Sequence, residues 1–277
     1  MHHGLPVFSI VILFPLLLLL AGCFPFRDSP YSDDLLHDES ELNPIAKTQL
    51  NALSIDEDGV VRIAIFADPH QNYRDLGKVI RQINRTENVD FVVVLGDITN
   101  NSLNFEYDQF LKDYKKLRYP SFMIPGNHDL LGAGKTLYRR IFGPANYIFE
   151  SANFRFVFFN SNNLEDPGGF DPEWLLARVN ETSKRVVVFT HVPLTDKERY
   201  HGKVAEILNQ VVVSPKVEII INGHNHGWDM SSEKGTHLVQ CPRVEGQRWI
   251  LFELDVNSMA ITRIPGRTQW TAATKPR

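Results

Sequence analysis

The chain has 277 residues, 43% hydrophobic and 22% charged, and a formal net charge of -4. This composition is typical of a soluble globular core of one large domain or two small ones. The slight negative charge argues against nucleic-acid binding by a basic surface, although it leaves a nucleotide open as a small substrate. The two distant cysteines, Cys23 and Cys241, argue against a disulfide framework or a cysteine zinc site.

The first 26 residues contain no Asp, Glu, Lys or Arg, and residues 16–20 are an unbroken leucine run. An apolar stretch of this kind, followed by small residues, predicts a secretory leader. Its end, Leu20-Ala21-Gly22-Cys23, resembles the bacterial lipobox, in which cleavage before the cysteine leaves the thiol to carry lipid. We therefore predict a signal peptide over residues 1–22, lipidation of Cys23 and an exported lipoprotein anchored in the bacterial cell envelope. The alternative is a membrane-spanning anchor, which the length permits.

A polar, acidic stretch follows Cys23 and shows no clear periodicity. Its acidic residues include Asp28, Asp33, Asp34, Asp38, Glu39 and Glu41. This composition predicts a tether over residues 23–58, with some helix near residues 43–53. We expect the folded domain to occupy residues 59–277.

Within that domain, short apolar and β-branched runs repeatedly end in a polar motif, and helical sequence often follows. The runs cover residues 60–66, 91–95, 122–124, 186–189 and 217–221. Such continuous apolar runs predict strands that are buried on both faces of a sheet. After the first run, Leu76, Val79, Ile80 and Ile83 have the spacing of one helix face. The alternation predicts an α/β layered domain.

Polar side chains follow each of these five runs. They are Asp68 and His70, then Asp97, then Asn127, His128 and Asp129, then His191, and finally His224 and His226. Side chains just beyond the carboxyl ends of strands in an α/β sheet converge on one rim, where ligands bind. The alternative is that these polar residues merely end the strands and have no catalytic or binding role. Because all five strands are followed by residues that can bind a cation, we favour a shared site.

The residue types indicate which ligand this rim holds. Mixed Asp, His and Asn ligands suit Zn²⁺, Mn²⁺ or Fe rather than Ca²⁺, which prefers oxygen ligands alone. Two divalent ions, the carboxylates of Asp68 and Asp97 and a bridging hydroxide would leave a net charge of about +1, which attracts a phosphate dianion. We therefore predict a metal-dependent phosphoesterase with two divalent ions.

The ordered motifs Asp-x-His, Gly-Asp, Gly-Asn-His-Asp, a separate His and Gly-His-x-His resemble the calcineurin-like metallophosphoesterase superfamily. The resemblance spans residues 61–255 and implies a four-layer α/β/β/α sandwich of two mixed β-sheets flanked by helices. Asn100 stands where purple acid phosphatases have a metal-binding tyrosine. The sequence also lacks the arginine that follows Gly-Asp in protein serine/threonine phosphatases. The most similar group is the compact bacterial branch that includes cyclic-nucleotide-phosphodiesterase-like proteins.

The resemblance implies a role for each motif residue. Asp97 bridges two metals, and both activate a bridging water or hydroxide for in-line attack on phosphorus. The resemblance assigns Asp68, His70 and His226 to one metal, and Asn127, His191 and His224 to the other.

His128 is not a metal ligand under this resemblance. It lies beside the phosphate, together with Asn127 and His191, and neutralises it or protonates the leaving oxygen. Asp129 is expected to hold the His128 imidazole in place, and a turn or helix-cap residue is the alternative for it.

The sequence favours a small phosphate mono- or diester as substrate and does not choose between them. A catalytically silent metal-binding or docking protein of the same fold is the alternative function. A nuclease is a third possible function, but the composition shows no excess of basic residues that would bind nucleic acid. The sequence carries no signal for the oligomeric state.

Overall fold

The structure is a computed structural model that describes residues 29–36, 38–51, 59–151 and 153–275. The helices are α1 (Leu42–Asn51), α2 (Tyr73–Arg85), α3 (Asn104–Tyr114), α4 (Gly134–Phe142), α5 (Pro172–Asn180) and α6 (Gly202–Val212). The strands are β1 (Val61–Phe66), β2 (Phe91–Val94), β3 (Ser121–Met123), β4 (Tyr147–Ser151), β5 (Phe154–Phe158), β6 (Arg185–Thr190), β7 (Val217–Asn222), β8 (Asp229–Glu233), β9 (Thr236–Gln240), β10 (Trp249–Leu254), β11 (Ser258–Ile264) and β12 (Thr268–Ala273).

The twelve strands form two six-stranded sheets. The first has the order β12-β11-β10-β1-β2-β3, and the second has the order β4-β5-β6-β7-β9-β8. In the first sheet β1, β2 and β3 are parallel, whereas β10 joins β1 antiparallel. In the second sheet β5, β6, β7 and β9 are parallel, and the edge strands β4 and β8 are antiparallel to their neighbours. Both sheets are therefore mixed, as predicted.

The layers follow from the two faces of each buried strand. In β1, Ile63 and Ile65 pack into the core between the sheets, whereas Ala64 and Phe66 face the outer layer of α2, α3 and α4. In β6, Val187 faces the other sheet, and Val186 packs towards α5 and α6. This alternation is what continuous apolar strands require, because successive side chains point to opposite faces. The predicted four-layer sandwich is confirmed.

The amino-terminal segment packs against the domain, in contrast to the predicted tether. The expected helix is present as α1, and its Ala46 and Leu50 lie in the core between the sheets. Asn43 pairs with the open edge of β3, because its Nδ2 donates to the Met123 carbonyl at 3.0 Å and its Oδ1 accepts from the Met123 N–H at 2.8 Å. This side chain occupies the backbone groups that a seventh strand would bond, and so protects the sheet edge.

The predicted leader and Cys23 lie outside the described residues. Among the residues that the structure does describe, no helix has the length and apolar character needed to cross a membrane.

The contacts of Asn43 lead to a stability prediction. Asn43→Ala leaves the buried N–H of Met123 without a partner, whereas the Met123 carbonyl still accepts from the hydroxyls of Tyr138 and Tyr147. The free energy of unfolding should therefore fall by about 1–3 kcal/mol. Chemical denaturation of the full chain measures this change.

Gln49→Ala is the matched control, because Gln49 lies on the exposed side of the same helix. It should leave the unfolding midpoint nearly unchanged. An equal effect of the two substitutions would show that α1 docks without the Asn43 bonds.

Candidate metal centre

All seven predicted metal ligands lie at one rim, where the parallel strands of both sheets end. Asp68 and His70 follow β1, Asp97 follows β2, Asn127 follows β3, His191 follows β6, and His224 and His226 follow β7. Each ligand stands one to four residues beyond the last residue of its strand. The strand ends therefore fix the ligand positions, and long loops are not involved.

These side chains form two groups that share one carboxylate. Asp68, His70, Asp97 and His226 offer ligand atoms that all lie within 4.8 Å of one another. Asp97, His191 and His224 form a second group by the same measure. Asn127 completes the second group, because its Oδ1 lies 3.0 Å from both His191 Nε2 and His224 Nδ1.

The imidazoles are oriented by backbone carbonyls behind them. Nδ1 of His70 lies 3.0 Å from the carbonyl of Thr99, and Nδ1 of His191 lies 2.7 Å from the carbonyl of Leu95. A proton on Nδ1 satisfies each carbonyl and leaves Nε2 with a lone pair that faces the centre. Such hydrogen bonds fix the tautomer of metal-ligating histidines.

Several electron-rich atoms then face one another across the centre. Nε2 of His70 lies 3.2 Å from Nε2 of His226 and 3.7 Å from the Asp97 carboxylate. Nε2 of His191 lies 3.3 Å from the same carboxylate. Lone pairs at these distances repel unless a proton or a metal ion lies between them. The mixed nitrogen and oxygen donors suit a borderline or hard divalent cation, so the residues fit the predicted metal ions.

The electrostatics indicate the same need for positive charge. Burial disfavours the charged form of Asp97, but the imidazoles around it, His191 foremost, hold its pKa below the usual value. Burial also lowers the pKa of His191, yet Asp97 and Asp68 outweigh this effect and raise the pKa to about 9. Burial raises the pKa of Asp68 to about 7, and Asp97 adds to this shift. The two buried carboxylates therefore stabilise any cation placed among them.

The backbone at the ligands adopts the left-handed region. Asp68, His70, Asp97, His224 and His226 have φ angles between 45° and 75°. Few non-glycine residues have positive φ, although Asp and His tolerate it better than most, and each instance costs on the order of 1 kcal/mol. Most of the ligand residues therefore depend on surrounding contacts to hold their conformation.

Two of these contacts join one ligand loop to another. The Asp97 carboxylate accepts from the His128 N–H at 2.9 Å, and the Asp68 carboxylate accepts from the His224 N–H at 3.0 Å. The first contact needs glycine at position 126, because a Cβ there would lie 2.1 Å from Asp97 Oδ1. The ligand loops therefore hold one another in place.

His128 lies next to the first group, with its ring 5.1 Å from the His70 ring in an edge-on arrangement. Its Nδ1 lies 2.6 Å from the carbonyl of Asn100. Asn100 stands where purple acid phosphatases have a metal-binding tyrosine. In this chain it orients His128 through its backbone carbonyl.

The predicted contact of Asp129 with the His128 imidazole is wrong. The Asp129 carboxylate is buried and accepts from the Thr99 N–H and hydroxyl at 2.9 and 3.0 Å, and from the Gly126 N–H at 2.9 Å. It points beneath the loop, while the Asn100 carbonyl already occupies the ring nitrogen. Asp129 therefore joins two ligand loops, as expected of the turn residue that was its alternative role.

Glu106 is a site residue that the sequence did not predict. Its buried carboxylate accepts from the N–H groups of Asn100, Asn101 and Leu103 at 3.0–3.2 Å and from Gln71 Nε2 at 2.6 Å. It therefore fixes the loop whose Asn100 carbonyl holds His128. A signal was present, because a glutamate at the third position of a helix often accepts from the residue before the helix.

Ser161 supports His191 from the second sheet. Its hydroxyl accepts from the N–H groups of His191 and Val192 at 3.2 and 2.8 Å, and its carbonyl accepts from the hydroxyl of Tyr200. Residues 160–162 are fully buried. This segment after β5 therefore supports the wall of the centre.

Comparison with known proteins gives the following sequence relationships. Residues 61–228 match the model of the calcineurin-like phosphoesterase family. The chain is 25% identical over 197 residues to a probable cyclic nucleotide phosphodiesterase of Coxiella burnetii, covering 61% of this chain and 77% of the relative. It is 27% identical over 183 residues to a glycerophosphodiester phosphodiesterase of Enterobacter lignolyticus, covering 59% of this chain and 66% of that relative.

Solved structures share the fold. A dimetal phosphatase of Danio rerio superposes with a TM-score of 0.64 and 18% identity, over 79% of this chain and all of that one. A purple acid phosphatase of yellow lupin superposes with a TM-score of 0.60 and 15% identity, over 78% of this chain and 54% of that one.

The family match covers more than half of the chain, and the motif residues that carried the resemblance lie together at one rim. The predicted activity class, a metal-dependent phosphoric ester hydrolase, is confirmed at this level. The chain belongs to the calcineurin-like phosphoesterase family.

Proposed function

We propose that this protein hydrolyses phosphodiesters at a centre of two divalent metal ions. The observation that carries the proposal is the pair of ligand groups that share Asp97. The names of the relatives favour a diester, since they are phosphodiesterases of cyclic nucleotides or glycerophosphodiesters.

In this proposal Asp68, His70 and His226 hold one ion, Asn127, His191 and His224 hold the other, and Asp97 binds both. Two divalent ions supply a nucleophilic hydroxide at neutral pH and Lewis-acid stabilisation of charge on the phosphoryl oxygens. Mn²⁺, Fe and Zn²⁺ all suit the ligand atoms.

We assign to His128 the role of donating a proton to the leaving group. The Asn100 carbonyl accepts from Nδ1 and orients the ring, so Nε2 is the ring nitrogen left for proton donation. The alkoxide that departs from phosphorus takes this proton. Asn127 and His191 complete the phosphate-facing side of the centre.

We also propose that the protein is exported and anchored to the cell envelope through lipid on Cys23. The sequence Leu20-Ala21-Gly22-Cys23 after an uncharged apolar stretch supports this proposal.

Metal content distinguishes a shared carboxylate from two separate sites. The purified full chain, loaded with Mn²⁺ and freed of excess metal, should retain two ions by elemental analysis. His224→Ala should retain one, because it removes a ligand of one group only. Asp97→Asn should weaken both sites, because it removes negative charge from each.

Glu87→Gln is the control, since Glu87 is exposed and distant from the rim. It should retain both ions. An Asp97→Asn protein that binds two ions as tightly as the unaltered chain would contradict the bridging role.

The leaving-group role of His128 predicts a dependence on the substrate. His128→Ala should lower kcat about 10²–10⁴-fold for an alkyl phosphodiester, whose alkoxide needs a proton. The loss should be much smaller for a bis-aryl phosphate with an acidic phenol, which departs without one. Steady-state kinetics on both esters measure the difference.

Equal losses on the two esters would contradict proton donation by His128. No turnover of either ester by the unaltered chain with metal bound would favour the docking alternative instead.

Glu106→Gln should act through His128. The amide places an N–H₂ group against backbone N–H donors, so the loop loses acceptors and the Asn100 carbonyl shifts. We expect a lower kcat on the alkyl diester with KM and metal content nearly unchanged. Uniform loss on both esters would indicate general destabilisation of the centre.

A further inference from the structure

The amino-terminal segment runs along helix α3 in a defined direction. At the start of α3, the N–H of Asn104 donates to the Pro30 carbonyl at 3.0 Å, and its side chain donates to the Ser29 carbonyl at 2.9 Å. Further along α3, Asp108 accepts from the Leu36 N–H at 3.0 Å. Just beyond its end, Lys115 pairs with Glu39 at 2.6 Å.

The start of α3 lies at the rim that holds the metal ligands. This helix follows β2, whose carboxyl end carries Asp97, and the connecting loop supplies the Asn100 carbonyl to His128. The segment therefore begins at the rim with Ser29 and moves away from it.

The covalent distance between Ser29 and the predicted anchor is short. Cys23 precedes Ser29 by six residues, which reach about 20 Å at full extension. The alternative anchor is an apolar span that ends at Phe26, which precedes Ser29 by half as many residues. Either anchor keeps the rim close to the bilayer surface.

Exposed apolar side chains are concentrated at the same end. Seven large hydrophobic side chains are exposed among the described residues, and four of them lie at the rim. They are Tyr31, Phe105, Leu131 and Leu164, which are 71%, 42%, 40% and 67% exposed. Tyr31 lies in the segment at Asn104, Phe105 follows Asn104, Leu131 follows the third motif, and Leu164 is in the loop after β5.

Single exposed apolar residues are ordinary, but a set around one opening marks an interaction surface. The short connection to the anchor identifies its partner as the bilayer, since apolar side chains of this kind insert at the boundary between head groups and acyl chains. Val256 is exposed at the opposite end, in the turn after β10, whose last residue pairs with the first of β1.

We propose that the metal-binding rim rests on the membrane and that the substrate is the phosphodiester head group of a membrane lipid. This inference rests on the proposed phosphodiesterase function. Water oxygen forms a new bond to phosphorus, one ester P–O bond breaks, and the departing alkoxide takes a proton.

The test uses the full anchored chain in vesicles of phosphatidylglycerol and phosphatidylethanolamine. A variant with both Phe105→Glu and Leu164→Glu should release head-group products at least about tenfold more slowly than the unaltered chain, since two apolar contacts with the bilayer are lost. Its turnover of a soluble bis-aryl phosphate should be unchanged. Val256→Glu, the matched control, should leave both rates unchanged.

The outcomes separate the two proposals. Absence of turnover on the soluble ester in every form overturns the phosphodiesterase function itself. Normal turnover of the soluble ester without lipid cleavage, or with equal lipid cleavage by the rim variant, overturns the membrane substrate alone. Equal slowing by Val256→Glu on vesicles also overturns it.

A second measurement tests the orientation directly. Fluorophores are attached at Asn101→Cys, exposed at the rim, or at Lys116→Cys, exposed just beyond the end of α3. Cys241 is fully buried, and the thiol of Cys23 carries lipid in the anchored chain, so neither cysteine competes for the label. Quenchers placed in the bilayer should affect the probe at position 101 more strongly. Equal or reversed quenching overturns the orientation.

Discussion

The rest of the site depends on the contacts of the Asp97 carboxylate. It belongs to both ligand groups, and it also accepts from the His128 backbone, so it connects the loops after β2 and β3. Its burial is tolerated because imidazoles surround it, and Nδ1 of His70 and of His191 faces a backbone carbonyl of the loop after β2. The two sheets meet at this residue, since His191 comes from the second sheet. The fold thus positions a concentrated negative charge that divalent cations neutralise.

The strands and the ligands were predictable from sequence because both are local. Each apolar run is followed by its own polar motif, and parallel strands necessarily bring those motifs to one edge. The core helix α2 depends on short spacings as well. The ordered motifs therefore identified both the fold and the seven side chains that the structure brings together.

The remaining features depend on contacts between residues distant in the chain. Asn43 closes the edge of a strand 80 positions later, and an acidic composition gave no sign of that pairing. Asp129 was expected to hold its neighbour His128, but its carboxylate bonds to Thr99 and Gly126 instead. Side-chain direction within a tight turn decides such contacts, and spacing along the sequence does not specify it.

The account's central claim is a centre of two metal ions that share Asp97. Anomalous diffraction from crystals of the full chain grown with Mn²⁺ tests it most directly. We predict two separate peaks at the rim, one beside Asp68, His70 and His226 and one beside Asn127, His191 and His224, with the Asp97 carboxylate between them. A single peak, or metal bound away from Asp97, would contradict the account.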